Sequence, residues 1–254
     1  SNGNVVEVAQ AVMPAVVGVN TYASTSDLFG QQGGLMQGYM MPRSNQKLDD
    51  YTQVSYGSGV IISQDGLIIT NNHVISSGSK VSVTLSDGTQ YEAKILGQDE
   101  SSDLAVLKIE ATNLKAVSIG SSKDLQVGQS VVAIGNPLSE EFSQTVTNGI
   151  ISGVNRKLKA DNQSFSLIQT NAAINSGNSG GALVDSNGKL IGINTAKISA
   201  EGVEGIGFAI PIDEAMTIVQ ELVDKGSIEH AYIGFSGYLL TEELAKQAGV
   251  DYKG

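Results

Sequence analysis

Residues 169–185 read QTNAAINSGNSGGALVD, and the residues around the serine in this stretch decide between two classes of fold. Ser179 stands between glycines, which permit a sharp turn that presents a hydroxyl and backbone N–H groups. The pattern G-x-S-x-G at residues 177–181 is also typical of the nucleophile elbow of α/β-hydrolases, which requires a helix directly after the serine. Here the apolar run 182–184 is followed by a turn and a second apolar run. This pattern predicts a hairpin, and it therefore favours an all-β fold.

Short apolar runs separated by turn signals continue from about residue 54 to residue 211. Two pairs of runs are joined by Asp65-Gly66 and Asp87-Gly88, which are typical of hairpin turns. Many short antiparallel strands indicate a sandwich or barrels. Residues 111–128 are the natural boundary between two β units. Other strands are expected at residues 15–22, 105–109, 131–135, 145–154, 167–170, 182–184, 190–195 and 206–210.

Two helices are expected outside the β units. Apolar residues recur at helical spacing from Val5 to Val12, and Pro14 ends that segment. A second apolar stripe begins after Asp213, which we expect to cap the helix, and stops at Gly226. Residues 23–53 are rich in Gly, Gln, Ser and Met without a clear period, which predicts a long loop.

Composition excludes several classes of function. The 254 residues carry a net charge of −11, which argues against a nucleic-acid partner, because phosphate binding needs clustered Lys and Arg. The chain has no cysteine and two histidines, so neither a metal site nor a cofactor is expected. No apolar run approaches the roughly 20 residues of a membrane-spanning helix, and no signal peptide is recognised at the start.

A serine nucleophile needs a base that takes the hydroxyl proton and an acid that orients the base. His73 follows a predicted strand of the first β unit, Asp103 precedes another strand of that unit, and Ser179 lies in the second unit. Their order in the chain, His-Asp-Ser, is that of chymotrypsin. We therefore predict that His73, Asp103 and Ser179 are the catalytic residues and that they meet in a cleft between the two units.

The α/β-hydrolase alternative requires the order serine, acid, histidine. Asp213 or Asp224 with His230 would supply that order. The elbow needs a helix after the serine, and the hairpin predicted there disfavours this alternative. We interpret His230 as a solvated residue beyond the end of a helix.

Several motifs resemble those of the HtrA (high-temperature requirement A, Deg) serine proteases over about residues 5–225. They are TNNHV at residues 70–74, SDLAVLK at 102–108, GNSGG at 177–181 and GIGFAIP at 205–211. The resemblance implies two chymotrypsin-like six-stranded β-barrels with a short N-terminal helix and a C-terminal helix. The expected divisions are an N-terminal segment (1–22), a first barrel (15–115, with the loop 23–53), a second barrel (116–211), a helix and linker (212–230) and the start of a truncated PDZ domain (231–254).

The same resemblance implies a function. It predicts ATP-independent cleavage of unfolded or misfolded polypeptides by an exported bacterial protein, in the periplasm or at the extracytoplasmic cell surface, with a membrane anchor upstream as one option. It also implies a homotrimer and peptide activators that act through the PDZ domain. The alternative function is a non-proteolytic holdase that binds unfolded chains in the same cleft.

The resemblance extends to the residues around the serine. Gly177, Asn178 and Ser179 are expected to form the oxyanion hole, with the backbone N–H groups of Gly177 and Ser179 as donors. Ala173, six residues before Ser179, matches the floor of the primary pocket in trypsin-like enzymes. The expected pocket wall consists of Asn194, Thr195, Ala196 and Ile198. A small uncharged floor predicts small aliphatic residues at the P1 position of the substrate.

Three further positions bear on the resemblance. Arg156, in a loop expected at residues 155–164, matches a family residue that relays activation from the PDZ domain to the active site; an ordinary solvated arginine is the alternative. Asn171 and Ala182 stand where the family commonly has aspartate and proline. Neither change affects the three proposed catalytic groups.

Overall fold

In the computed structural model, the described residues are 4–24, 51–136, 144–160, 163–197, 205–228 and 246. The first barrel closes in the order β1-β2-β3-β6-β5-β4, with β4 pairing back onto β1. Its strands are β1 (Val16–Ser24), β2 (Tyr51–Ile61), β3 (Leu67–Thr70), β4 (Lys80–Thr84), β5 (Gln90–Asp99) and β6 (Leu104–Ile109). Alternating side chains such as Val17, Val19, Val81 and Val83 point inward and form its core.

The second barrel closes because β11 pairs with both β8 and β12. Its strands are β7 (Ser118–Ile119), β8 (Ser130–Gly135), β9 (Thr145–Ala160), β10 (Gln163–Thr170), β11 (Ala182–Asp185), β12 (Lys189–Thr195) and β13 (Gly207–Pro211). The short β7 adds to β12 in parallel, outside the six-stranded antiparallel ring. The predicted pair of six-stranded barrels is therefore confirmed.

A large apolar cluster joins the two barrels. It contains Ile69 and Val106 from the first barrel together with Ile134 and Ile193 from the second. Each barrel thus buries one outer face against the other. This packing fixes the positions of the turns at the junction relative to one another.

Two helices extend this shared core. In α1 (Val5–Val12), Val8 and Val12 join the cluster, and the Asn4 side chain caps the helix by accepting from the Val6 N–H. In α3 (Ile212–Lys225), the stripe of Ala215, Val219 and Leu222 is buried in the same place. No helix among the described residues is both long and apolar enough to cross a membrane.

The expected cap of the C-terminal helix is wrong, although its end at Gly226 is confirmed by a left-handed φ of 79°. Pro211 occupies the N-cap position, and Asp213 lies inside the first turn. The Asp213 carboxylate instead accepts hydrogen bonds from the backbone N–H and the hydroxyl of Ser122. The Asp213 side chain, predicted to cap the helix, therefore binds a residue that is distant in sequence.

Two loop predictions are corrected as well. Residues 155–160 continue β9 and pair with β10, so Arg156 lies on a strand opposite Leu167 rather than in a loop. The long loop predicted at residues 23–53 is wrong at both ends, since residues 23–24 belong to β1 and residues 51–53 to β2. Several other predictions fall outside the described residues: those for residues 25–50, for 231–254 apart from residue 246, for His230 and for Ile198.

Candidate active site

Three turns at the junction of the barrels carry the three predicted residues. His73 lies in the one-turn helix α2 (Asn72–Ile75), which follows β3 directly. Asp103 is the last residue before β6, and Ser179 follows a 3₁₀ turn over Ser176–Asn178 that leads into β11. Thus two strand ends of the first barrel and one of the second meet at one place.

His73 contacts the Asp103 carboxylate through both its ring and its backbone N–H. The imidazole Nδ1 lies 2.9 Å from Oδ1 and 2.8 Å from Oδ2 of the carboxylate. The backbone N–H of His73 also donates to Oδ1, at 3.0 Å. The aspartate side chain is 2% exposed and the histidine side chain 30%, so the carboxylate is shielded while one ring edge reaches solvent. This arrangement fixes the ring with Nδ1 toward Asp103 and Nε2 toward the serine.

The Ser179 hydroxyl closes the chain of contacts. Its Oγ lies 2.9 Å from His73 Nε2, although the two residues are 106 positions apart in sequence. The same oxygen lies 3.0 Å from Asn71 Oδ1 and accepts a hydrogen bond of 3.1 Å from the Ala196 N–H. The structure therefore brings His73, Asp103 and Ser179 together in the order that nucleophilic catalysis requires.

Asp103 holds its position through its backbone as well as its carboxylate. Its φ of 57° is in the left-handed region, which aspartate tolerates better than most residues. Its carbonyl oxygen accepts hydrogen bonds from Asn71 Nδ2 at 3.0 Å and from the Asn72 N–H at 3.1 Å. The third bond to the carboxylate comes from Thr195 Oγ1, which lies 3.2 Å from Oδ2.

Asn178 shapes the turn before the serine. Its Oδ1 accepts from the Asn175 N–H at 2.9 Å, and its Nδ2 donates to the Ala173 carbonyl at 3.0 Å. The residue is 3% exposed, so these bonds are shielded from water. The Asn178 side chain therefore stabilises the loop from inside. The oxyanion hole formed by the Gly177 and Ser179 N–H groups remains a prediction.

The expected pocket residues lie around the same turn. Ala173 is exposed, and its carbonyl accepts from both Asn178 Nδ2 and Thr147 Oγ1. Asn194 is fully buried and its Nδ2 donates to the Ala182 carbonyl. Its backbone N–H donates to the Gly181 carbonyl and its own carbonyl accepts from the Gly180 N–H. The Thr195 hydroxyl is bonded to Asp103, so these polar groups already have partners within the protein. The substrate-binding assignment of these residues and of Ala196 stays a prediction.

A polar cavity of about 390 Å³ lies on the other side of His73. It is lined by His73, Asn72, Ser76, Gln98, Glu100 and Lys197. Space for a polypeptide side chain is therefore available directly beside the imidazole.

Arg156 lies away from these residues, on the exposed part of β9. Its Nε donates to Gln169 Oε1 at 2.9 Å, and the guanidinium packs over Gly153, where an added Cβ would lie 2.6 Å from Nε. Asn171 retains a structural bond without a charge, because its Oδ1 accepts from the Ile150 N–H at 2.7 Å. A regulatory role of Arg156 remains a prediction.

Sequence reasoning missed three contributors. Ser58 fastens the serine loop to the first barrel, Asn71 contacts the Ser179 hydroxyl, and Thr195 binds Asp103 rather than only lining a pocket. Ser58 stands between glycines in the segment Gly57-Ser58-Gly59, and Asn71 precedes the histidine by two residues. Neither signal identifies a partner more than 100 positions away.

Known proteins share this fold and much of this sequence. A family model described as a trypsin-like peptidase domain matches residues 57–193. The chain is 43% identical over 240 residues to the serine protease Do-like HtrA of Bacillus subtilis, covering 91% of this chain and 51% of that protein. It is 40% identical over 267 residues to the periplasmic serine endoprotease DegP of Escherichia coli strain K12, covering 95% of this chain and 56% of that protein. The chain thus spans about half the length of these relatives.

A solved structure agrees with these matches. The HtrA-type protease AlgW with a decapeptide superposes with a TM-score of 0.78 at 36% identity, and the match covers 98% of this chain and 77% of that one. The barrels, the His-Asp-Ser geometry and these likenesses agree with one another, and the chain belongs to the HtrA-type family of serine proteases with a trypsin-like peptidase domain.

Proposed function

We propose that this chain is a serine endopeptidase that hydrolyses peptide bonds with Ser179, His73 and Asp103. The observation that carries the proposal is the unbroken line of contacts from Ser179 Oγ to His73 Nε2 at 2.9 Å and from Nδ1 to Asp103 at 2.8 Å. Such a line lets the hydroxyl transfer its proton while it attacks a carbonyl carbon.

In the first half of the reaction, Ser179 Oγ forms a bond to the substrate carbonyl carbon and its proton passes to His73 Nε2. The imidazolium is stabilised by the Asp103 carboxylate, which the ring and backbone of His73 both contact. The oxyanion accepts hydrogen bonds from the N–H groups of Gly177 and Ser179. His73 then gives the proton to the leaving amine as the carbon–nitrogen bond breaks, and an acyl-enzyme remains.

In the second half, water takes the place of the amine. His73 removes a proton from the water as its oxygen bonds to the acyl carbon, and it returns that proton to Ser179 Oγ as the ester bond breaks. One water is therefore consumed for each peptide bond cleaved, and His73 carries the proton in every step.

The substrates we propose are unfolded or misfolded polypeptides, met outside the cytoplasm. Both relatives described above are named serine proteases, and the name of the second also includes the word periplasmic. Small aliphatic P1 residues are the expected preference, because the floor position Ala173 offers no carboxylate for a basic residue. One methylene changes such a preference by only about 1–3 kcal/mol, so the profile should be broad. The homotrimer and activation through a PDZ domain, with Arg156 as a relay, remain proposals from the resemblance.

Cleavage of unfolded casein by the wild-type chain and by Ser179→Ala tests this function. Removing a triad serine lowers turnover by up to about 10⁶, so the variant should leave casein intact. Ser186→Ala, at a serine in the turn between β11 and β12, is the matched control and should cleave normally. A fluorophosphonate probe should label the wild type but not Ser179→Ala. A holdase would instead protect unfolded casein from aggregation in both proteins without labelling or cleavage, and that result would overturn the proposal.

A further inference from the structure

The Ser179 hydroxyl has more acceptors around it than it has protons. Its Oγ receives one hydrogen bond, from the Ala196 N–H at 3.1 Å. It can donate one, and two acceptors are within reach: His73 Nε2 at 2.9 Å and Asn71 Oδ1 at 3.0 Å. A hydroxyl carries a single hydrogen, so it cannot satisfy both.

The orientation of the Asn71 amide is determined by its other contact. Its nitrogen donates to the carbonyl oxygen of Asp103 at 3.0 Å, and a carbonyl can only accept. The amide oxygen therefore faces Ser179 and acts as an acceptor there. Asn71 and Ser179 are both fully buried, so water does not compete for these bonds.

The number of satisfied hydrogen bonds depends on the charge of His73. When the ring is neutral with its hydrogen on Nδ1, Nε2 and Asn71 Oδ1 compete for one hydroxyl proton and one acceptor stays unpaired. When the ring is protonated, Nε2–H donates to Oγ while the hydroxyl donates to Asn71, and every group is paired. An unpaired buried acceptor is unfavourable, so the asparagine favours the protonated ring.

We propose that Asn71 competes with His73 for the hydroxyl proton of Ser179 and thereby sets the lower pH limit at which the serine is reactive. The inference rests on the proposed function, since it concerns the same nucleophile and base. Within the part of the chain that the structure describes, the other charged groups around the ring are Asp103 at Nδ1 and, lining the cavity beside the ring, Glu100 and Lys197. Replacing Asn71 leaves all three in place.

Histidine NMR measures this effect without any turnover. The chain has only two histidines, His73 and His230, and a His230→Gln background assigns the remaining ring signal. In Asn71→Leu, which keeps the size but removes the acceptor, the midpoint of the pH titration of the His73 ring should fall by about 0.5–1 pH unit, the value of about one net hydrogen bond. The acid limb of the pH profile of kcat/KM on a peptide substrate should move by the same amount.

Two variants separate this role from simple support of Asp103. Asn71→Asp keeps an acceptor oxygen at Ser179, so the His73 titration midpoint in this variant should stay at or above that of the wild type. If Asn71→Leu does not fold, the midpoint in Asn71→Asp tests the proposal. Asn20→Leu makes the same replacement at a buried first-barrel asparagine whose side chain accepts from Gln53, and its midpoint should not move.

A purely structural role would lower kcat/KM in both Asn71 variants and leave the midpoints unchanged. An unchanged or raised midpoint in Asn71→Leu, or a lowered one in Asn71→Asp, would overturn the proposal. If the wild-type chain fails to cleave casein but the His73 titration midpoints shift as expected, only the proposed function is contradicted, because the titration requires no catalysis.

Discussion

The backbone N–H of Ser58 donates a hydrogen bond of 2.8 Å to the carbonyl oxygen of Ser179, and this bond ties the nucleophile loop of the second barrel to β2 of the first. The side chain of Ser58 strengthens the link. Its Oγ donates to the Gly177 carbonyl at 2.7 Å and accepts from the Asn136 N–H at 2.8 Å. One buried residue thus positions the loop that carries the serine and the proposed oxyanion donor.

Ser58→Ala should weaken both folding and catalysis. The substitution leaves the Gly177 carbonyl and the Asn136 N–H without this partner, and an unsatisfied buried group costs about 1–3 kcal/mol. We expect the free energy of unfolding in urea to fall by that amount and kcat to fall more than KM rises. Ser82→Ala is the control, because its Oγ is buried with no hydrogen-bond partner among the described residues. If both variants lose equal stability, the bonds of Ser58 are not the cause.

Gly180→Ala should disable the serine loop. Gly180 has a φ of 83°, and an added Cβ would contact the Ser58 carbonyl and lie 2.6 Å from Thr70 Oγ1. The left-handed conformation alone costs a non-glycine residue about 1–2 kcal/mol, and the contacts add to this. Gly88→Ala isolates the first effect, since Gly88 has a φ of 85° and no atom within 4 Å of the added Cβ. Thermal unfolding should show the larger loss for Gly180→Ala, with activity lost only there.

Asp103→Asn should lower kcat by about 10⁴, the order seen when a triad aspartate becomes asparagine in other serine proteases. The asparagine oxygen would keep the bond from the His73 N–H, so the amide nitrogen would face Nδ1. The ring would then carry its hydrogen on Nε2 and could not accept the serine proton. Peptide hydrolysis and circular dichroism would measure this loss in a folded protein. Asp87→Asn, the same change in an exposed hairpin turn, should retain full turnover.

The stabilising effect of Asp213 should depend on pH. Hydrogen bonds from the Ser122 N–H and hydroxyl lower the pKa of the Asp213 carboxyl. The unfolded chain therefore binds a proton first as the pH falls, so the stabilisation is complete above the ordinary value of about 3.9 and is lost below the lowered one. The difference in free energy of unfolding between wild type and Asp213→Asn should be largest near neutral pH and shrink toward pH ~2. Urea unfolding at several pH values would measure it.

Asp124→Asn is the control for that series. Asp124 is exposed, lies two residues after Ser122 and makes none of the hydrogen bonds that Asp213 makes to Ser122. Its difference from the wild type should not follow the pH dependence seen for Asp213. Equal pH dependence of the two variants would show that net charge, and not the contact with Ser122, is responsible.

The sequence by itself determined the local elements and the identity of the three reactive groups. Alternation of apolar residues identified the strands, since side chains in a strand point to opposite faces in turn. With only two histidines, a serine between glycines and an aspartate before a strand, few triads were possible. The glycine after α3 marked its end because a left-handed residue is needed there.

Only the tertiary structure decided which polar groups meet. The bonds from Ser58 to Gly177, from Ser179 to Asn71 and from Thr195 to Asp103 join positions that are 119, 108 and 92 residues apart. Asp213 was predicted as a helix cap and instead binds a serine 91 positions earlier. Periodicity and capping rules describe neighbours along the chain, whereas a buried polar group pairs with whatever group barrel closure brings beside it.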